Sequence, residues 1–143
     1  MNRYGREWLP FEDWSTAATF ADIDRDGWPD LYVTTYLNWK PNPKENCRDP
    51  HSGRRDVCMP GDTLGTPDRL FLNQQDGPFK DISKDSGLLA DGKELGVFAG
   101  DFNRDGWIDF YVANDVIRNS LYIGQGNNQF REQAILAGAA GNE

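Results

Sequence analysis

The chain has little of several things that would point to a familiar function. Its 143 residues include two cysteines and one histidine. Nowhere do roughly 18 apolar residues run together, as a membrane span requires. Basic residues are in the minority, 15 Lys and Arg against 23 Asp and Glu, for a formal net charge of −8. No basic stripe of the kind nucleic acid demands runs along the chain. The lone His51 lies in a Pro-, Arg- and Asp-rich stretch, so no Ser–His–Asp set takes shape. Membrane insertion, nucleic-acid binding and triad chemistry are thereby set aside. The start, Met1 to Trp8, has no apolar signal core. That leaves two readings, a leader already removed or an internal piece of a longer chain. The length suits one ordinary domain.

What is present is two nine-residue segments of one pattern. The first runs from Asp22 through Asp24, Asp26, Gly27 and Trp28 to Asp30; the second runs from Asp101 through Asn103, Asp105, Gly106 and Trp107 to Asp109. Oxygen side chains fall at positions 1, 3, 5 and 9, with Gly at 6. Alternate residues of a tight loop turn their oxygens inward, and Gly permits the bend halfway round. At position 7 the backbone carbonyl serves, which leaves the Trp side chain free. Such a cage suits calcium, which takes 6–8 oxygens, better than magnesium, which demands an octahedron and keeps its waters. Two cation sites are therefore expected, with Asn103 an oxygen ligand of one charge fewer. Acidic surface turns would not need to share Arg at position 4 and Trp at position 7. An EF-hand would need Glu at position 12 and flanking helices, whereas Val33 and Val112 stand there. The β-branched and aromatic residues that follow predict strands. Seven of the 23 acidic residues lie in these loops, and the remaining 16 nearly balance the 15 basic ones. The acidity therefore belongs mostly to the loops and calls for no basic partner.

The repeat extends beyond the loops. Strands are predicted at Leu31–Thr35 and Phe110–Ala113, then at Leu70–Asn73 and Leu121–Gly124. Turn residues follow at Gln75–Gly77 and Gly126–Asn128, which mark hairpins. Phe79 and Phe130 open a fourth strand that ends near Gly87 and Gly138. These later segments are 51 residues apart, while the loops are 79 apart. The difference is an insertion in the first unit, over 38–67. Its Pro and Gly content argues against regular structure. Small residues before each loop (Ala17, Ala18, Ala21; Gly96, Ala99, Gly100) suit an innermost strand crowded around an axis. The predicted fold is all-β: two propeller-type blades, each a four-stranded antiparallel sheet with a calcium loop. The units are 12–90 and 91–143, after an N-terminal segment 1–11.

Cys47 and Cys58 both lie in the insertion. A local disulfide that restrains this thin-cored segment is the first reading. Zinc held by Cys47, His51 and Cys58 is the alternative, though a fourth ligand and the usual paired spacing are missing.

The stretches Phe20–Val33 and Ala99–Val112 resemble FG-GAP/VCBS repeats, which build the integrin-α type β-propeller. The segment from Cys47 through Arg55-Asp-Val-Cys58-Met-Pro-Gly, followed by Thr66-Pro-Asp-Arg-Leu-Phe-Leu-Asn73, resembles secreted bacterial relatives of cartilage acidic protein, which often carry an ASPIC/UnbV domain. The resemblance implies calcium at the loop carboxylates. Calcium loops of modest affinity and a disulfide suit the outside of the cell, a cell surface or a periplasm. The expected role is a non-catalytic module for binding or assembly. Its partners would be further blades of the same polypeptide, other protein chains or a surface glycan. A structural subunit of a surface assembly or filament is one alternative. Part of a polysaccharide-degrading enzyme is another, although the evident carboxylate clusters are already assigned to metal. Phe20, Phe71, Phe79, Phe98, Tyr122 and Phe130 are expected on blade faces. A propeller has 4–8 blades, so the two outer faces here are expected to lie open until a partner covers them. Trp8–Phe11 is a candidate for part of that contact.

Overall fold

The computed structural model describes residues 13–38, 47–49, 51–56, 58 and 63–141; the Trp8–Phe11 segment lies outside them. Strands β1 (Ser15–Ala21), β2 (Asp30–Thr35), β3 (Arg69–Leu72) and β4 (Lys80–Asp81) form one sheet. Strands β5 (Glu94–Gly100), β6 (Asp109–Asn114), β7 (Ser120–Gly124) and β8 (Phe130–Glu132) form the other. Each is a four-stranded antiparallel sheet with its strands in chain order. The fold is all-β and of propeller-blade type. The sheets agree in detail. Ala21 faces Asp30 and Gly100 faces Asp109 at the loop ends, and a register shift falls at Ser15/Ala17 and again at Glu94/Gly96. Strand β2 (Asp-Leu-Tyr-Val-Thr-Thr) is buried along its whole length, in keeping with β-branched and aromatic residues on two packed faces.

Three features differ from the expectations. The fourth strands are short. Each gives way to a helical turn before its Gly, a 3-10 turn at Ser83–Asp85 and a one-turn helix α1 at Ala134–Ala137. In the second unit Ala, Ile and Leu favour helix, and Gly138 closes it at φ 68° in the left-handed region. The insertion also carries pairing. Leu37 bridges Gly65, prolonging the β2–β3 ladder, and Arg48 bridges Arg55 inside the span closed by the Cys47–Cys58 disulfide. With the two sulfurs bonded to each other, no thiolate remains for the zinc alternative. His51 is exposed, and its N–H donates to Asp49.

The third difference concerns the outer faces. Leu31, Val33 and Phe71 form a buried cluster with Phe79 packed against it. Leu121 and Ile123 are buried with Ala134 of α1, and Tyr111, Ala139 and Ala140 pack on them. Much of each outer face is thus covered within the chain. The rest stays open: Phe20, opposite Leu31, and Phe98, opposite Tyr111, stand exposed on these faces, and Trp28 and Phe102 are exposed on the loops.

Between the sheets lies the largest core. Tyr32, Leu70 and Leu72 of the first meet Phe110, Val112, Tyr122 and Phe130 of the second. Ring centroids of Tyr32 and Phe110 are 4.6 Å apart, and those of Phe110 and Phe130 are 5.1 Å apart. Polar bonds cross the same boundary. Thr16 Oγ1 donates to the Glu94 carbonyl at 2.7 Å, and the Phe130 N–H to the Ser86 carbonyl at 2.8 Å.

A buried pair of acids sits at this boundary. Asp68 accepts the Tyr32 hydroxyl at 2.7 Å and the Thr35 N–H at 2.8 Å. Burial, and then the neighbouring Asp68 charge, push the Glu94 carboxyl well above its ordinary range; burial raises Asp68 as well, against its hydrogen bonds. Oε2 of Glu94 has no hydrogen-bond partner, which suits a neutral acid better than a carboxylate. The pair therefore keeps a proton, on Glu94, where the unfolded chain releases it above roughly pH 4.3. The folded state binds the proton more tightly, so this contribution is full at low pH and is lost as pH rises through neutrality. Urea unfolding in chelator is expected to show a lower midpoint at pH 8 than at pH 5, with the difference flattened in Glu94→Gln. An unchanged difference in the variant would place the pH dependence elsewhere.

Candidate metal-binding loops

The two loops join the first and second strands of their sheets and fold alike, bond for bond. In the first, Asp22 accepts the N–H groups of Asp26 (3.1 Å) and Gly27 (2.9 Å), Asp24 accepts Asp26 N–H (3.1 Å), and Asp26 accepts Trp28 N–H (2.8 Å). In the second, Asp101 accepts the N–H groups of Asp105 (3.1 Å) and Gly106 (2.9 Å), Asn103 accepts Asp105 N–H (2.9 Å), and Asp105 accepts Trp107 N–H (2.8 Å). Asn103 thus aims its amide oxygen as Asp24 aims its carboxylate. Short polar side chains bonding to backbone a few residues on is the local chemistry that makes Asp and Asn turn residues.

The ninth position differs from the other three. Asp30 and Asp109 are buried, at 2 % and 0 % exposure. Asp30 accepts Ile23 N–H through Oδ2 and Asn73 N–H through Oδ1, both at 2.9 Å. Asp109 accepts Phe102 N–H at 2.8 Å and Gly124 N–H at 2.9 Å. Each carboxylate ties the start of its loop to the end of its third strand. Burial raises the pKa of Asp30 above the ordinary value, opposed by those two N–H groups. Sequence reasoning took these residues for ligands only; the tie to the third strand joins residues 43 apart in the first sheet and 15 apart in the second, and local spacing carries no trace of it.

In the first loop, carboxylate oxygens of Asp22, Asp24 and Asp30 lie within 4.8 Å of one another. No Lys or Arg pairs with them among the described residues. Three converging carboxylates without a cationic side chain are costly unless an ion neutralises them, and an all-oxygen set of this kind fits calcium. Asp26 stays outside the group, its oxygens engaged by Trp28 N–H and facing Gln75. In the second loop Asn103 replaces the middle carboxylate, so three acids do not converge. The Trp107 N–H and Asn103 hold Asp105 below the usual carboxylate range.

The shared Arg at position 4 acquires a meaning only in three dimensions. Arg25 and Arg104 both adopt left-handed backbone, at φ 65° and 63°. From there Arg25 reaches the other sheet, its guanidinium carbon 3.7 Å from the centroid of the Trp107 ring. A Cβ at Gly106 would lie 2.8 Å from its Nη2, so glycine here makes room for the stack as well as for the turn. The repeated Arg and Trp were visible in the sequence; that one repeat's Arg serves the next repeat's Trp was not.

Residues 52–112 match the family model of the FG-GAP-like repeat. The match covers the later strands of the first sheet and the first two of the second, including the loop Asp101–Asp109. No curated protein matches the chain.

The buried and exposed loop acids should separate experimentally. In chelator, Asp30→Ala and Asp109→Ala each strand two backbone N–H groups and are expected to cost about 2–5 kcal/mol. Asp24→Ala, on an exposed side chain, should change stability by less than about 1 kcal/mol under those conditions. Equal losses in urea unfolding for all three would mean that the ninth carboxylate is not a structural tie.

Proposed function

We propose that this chain is a calcium-stiffened, non-catalytic module of propeller type, which works outside the cell in binding or assembly with other protein surfaces. The observation that carries this reading is the convergence of Asp22, Asp24 and Asp30 on one point, in a loop whose twin recurs in the second sheet. Asp22, Asp24 and Asp30 would hold the first ion and Asp101, Asn103 and Asp109 the second, with Asp26, Asp105 and the carbonyls of Trp28 and Trp107 as further oxygen donors. Bound calcium would neutralise the carboxylates and stiffen the end of each sheet. The match to the FG-GAP-like repeat and the Cys47–Cys58 disulfide support an extracellular or periplasmic setting. Among the described residues no helix is long and apolar enough to cross a membrane. Kinship with the cartilage acidic protein group rests on the Cys47–Asn73 stretch. The buried acids Asp68 and Glu94 are enclosed between the sheets, away from any substrate, which favours binding over catalysis.

Calorimetric titration with calcium tests the reading. Two sites are expected, the first tighter, because Asp24 offers a charged oxygen there where Asn103 offers a neutral one in the second loop. Asp22→Ala and Asp101→Ala should each remove one site. Unchanged stoichiometry in both variants would remove the proposed sites.

A further inference from the structure

The insertion leaves and rejoins the first sheet at the end of β2 away from the loop, where Leu37 bridges Gly65. Within it the Cys47–Cys58 disulfide closes a small hairpin, with the two Cα atoms 5.1 Å apart. Backbone bonds fix its register. The Asp49 N–H donates to the Arg54 carbonyl at 3.0 Å, and the Asp56 N–H to the Cys47 carbonyl at 2.8 Å. At the turn, Asp49 Oδ1 accepts the N–H groups of His51 and Ser52, and Gly53 adopts left-handed backbone at φ 65°.

This bonding pattern sets Arg48 directly opposite Arg55, in the kind of antiparallel pair whose side chains stand closest. Two cations therefore share one face of a two-stranded ribbon. Like charges so placed oppose pairing, and among the described residues no carboxylate pairs with either. Strand alternation puts the acids Asp49 and Asp56, each one residue further along, on the other face. Arg48 gives one N–H to the Gly53 carbonyl at 2.8 Å, which lays its guanidinium along the hairpin. The Arg55 guanidinium has no partner among the described residues. Both side chains are exposed. The disulfide and the turn bonds thus hold together two charges that repel, on a chain whose net charge is −8.

We propose that this stapled arginine pair is an anion-binding site and that its ligand is an acidic glycan. The proposal stands on the hairpin alone and does not draw on the calcium loops. Guanidinium forks match the two oxygens of a sugar carboxylate or the oxygens of a sulfate ester, and either anion would neutralise the repulsion between Arg48 and Arg55. A protein partner fits less well. Between Cys47 and Asp56 there is no Leu, Ile, Val, Met, Phe, Tyr or Trp, and protein interfaces centre on such anchors. Nucleic acid also fits less well, because the hairpin offers no Phe, Tyr or Trp platform for bases and the chain no broad basic surface.

Surface plasmon resonance of the full chain over immobilised heparin, polygalacturonate, neutral dextran and double-stranded DNA tests this. Binding to heparin or polygalacturonate is expected, with none to dextran and an affinity that falls as salt rises. Heparin alone would assign sulfate as the group bound, and polygalacturonate alone would assign carboxylate. Arg55→Ala and Arg48→Ala, each confirmed as folded by circular dichroism, should weaken binding about tenfold or more. Lys80→Ala combined with Lys84→Ala removes two exposed cations outside the hairpin and should leave binding unchanged. Cys47→Ser combined with Cys58→Ser alters no charge and should weaken binding several-fold, because the arginines are no longer held in register. The proposal fails if neither acidic glycan binds, if Arg55→Ala binds like wild type, or if the lysine variant loses as much as Arg55→Ala. Unchanged binding in the serine variant would overturn the stapled site in favour of loose surface charge. DNA bound as tightly as either glycan would overturn the choice of ligand.

Discussion

A buried carboxylate at the ninth position of each loop holds the two ends of the loop and the third strand in one place. Asp30 and Asp109 each spend both oxygens on backbone N–H groups drawn from two elements. In a buried site those N–H groups have no water to turn to, so removing the carboxylate strands two donors at once. The rest of the loop depends on this anchor. With its start pinned beside the third strand, the loop can only fold back on itself, and the exposed acids arrange their oxygens around the same centre. The sheet thus sets the arrangement of the loop carboxylates, and an ion bound there would add charge neutralisation to it.

The same loop does a second task at the boundary between the sheets. Its fourth residue, forced into left-handed backbone, carries a guanidinium across to the indole of the following loop. Inner-strand and second-strand side chains fill the space beneath, with Tyr32, Phe110 and Phe130 in contact. Deeper still lie Asp68 and Glu94, two buried acids whose carboxyls burial pushes above their ordinary range. The boundary therefore combines an apolar interior, a buried pair of acids and a stack that the candidate metal-binding loops hold in position.

Much of this was legible in the chain. The spacing of Asp22, Asp24, Asp26 and Asp30, repeated at Asp101–Asp109, announces the loops because alternate residues of a tight turn share a side. Leu31–Thr35 and Leu121–Gly124 announce strands through β-branched and aromatic content, and the 51-residue echo places them in equivalent positions. Cys47 and Cys58, in one short Pro-rich segment, pair as expected. Less legible were the helical turns at Ser83–Asp85 and Ala134–Ala137, where a few residues balance strand against helix and packing tips the choice. The ladder inside the insertion was hidden because Pro and Gly describe its turns, while pairing depends on which backbones meet.

The sequence by itself determined the local chemistry of this protein: two oxygen-rich turns, eight extended segments and the order in which they pair. Those follow from spacing, side-chain shape and backbone preference within a few residues. Tertiary structure alone decided the roles that join distant positions. It made Asp30 and Asp109 struts as well as candidate ligands, set Arg25 of one repeat on Trp107 of the next, buried Asp68 beside Glu94, and covered part of each outer face. Each of these depends on surfaces brought together across dozens of residues, and the cost of burying a polar group or the gain from covering an apolar one exists only once those surfaces meet.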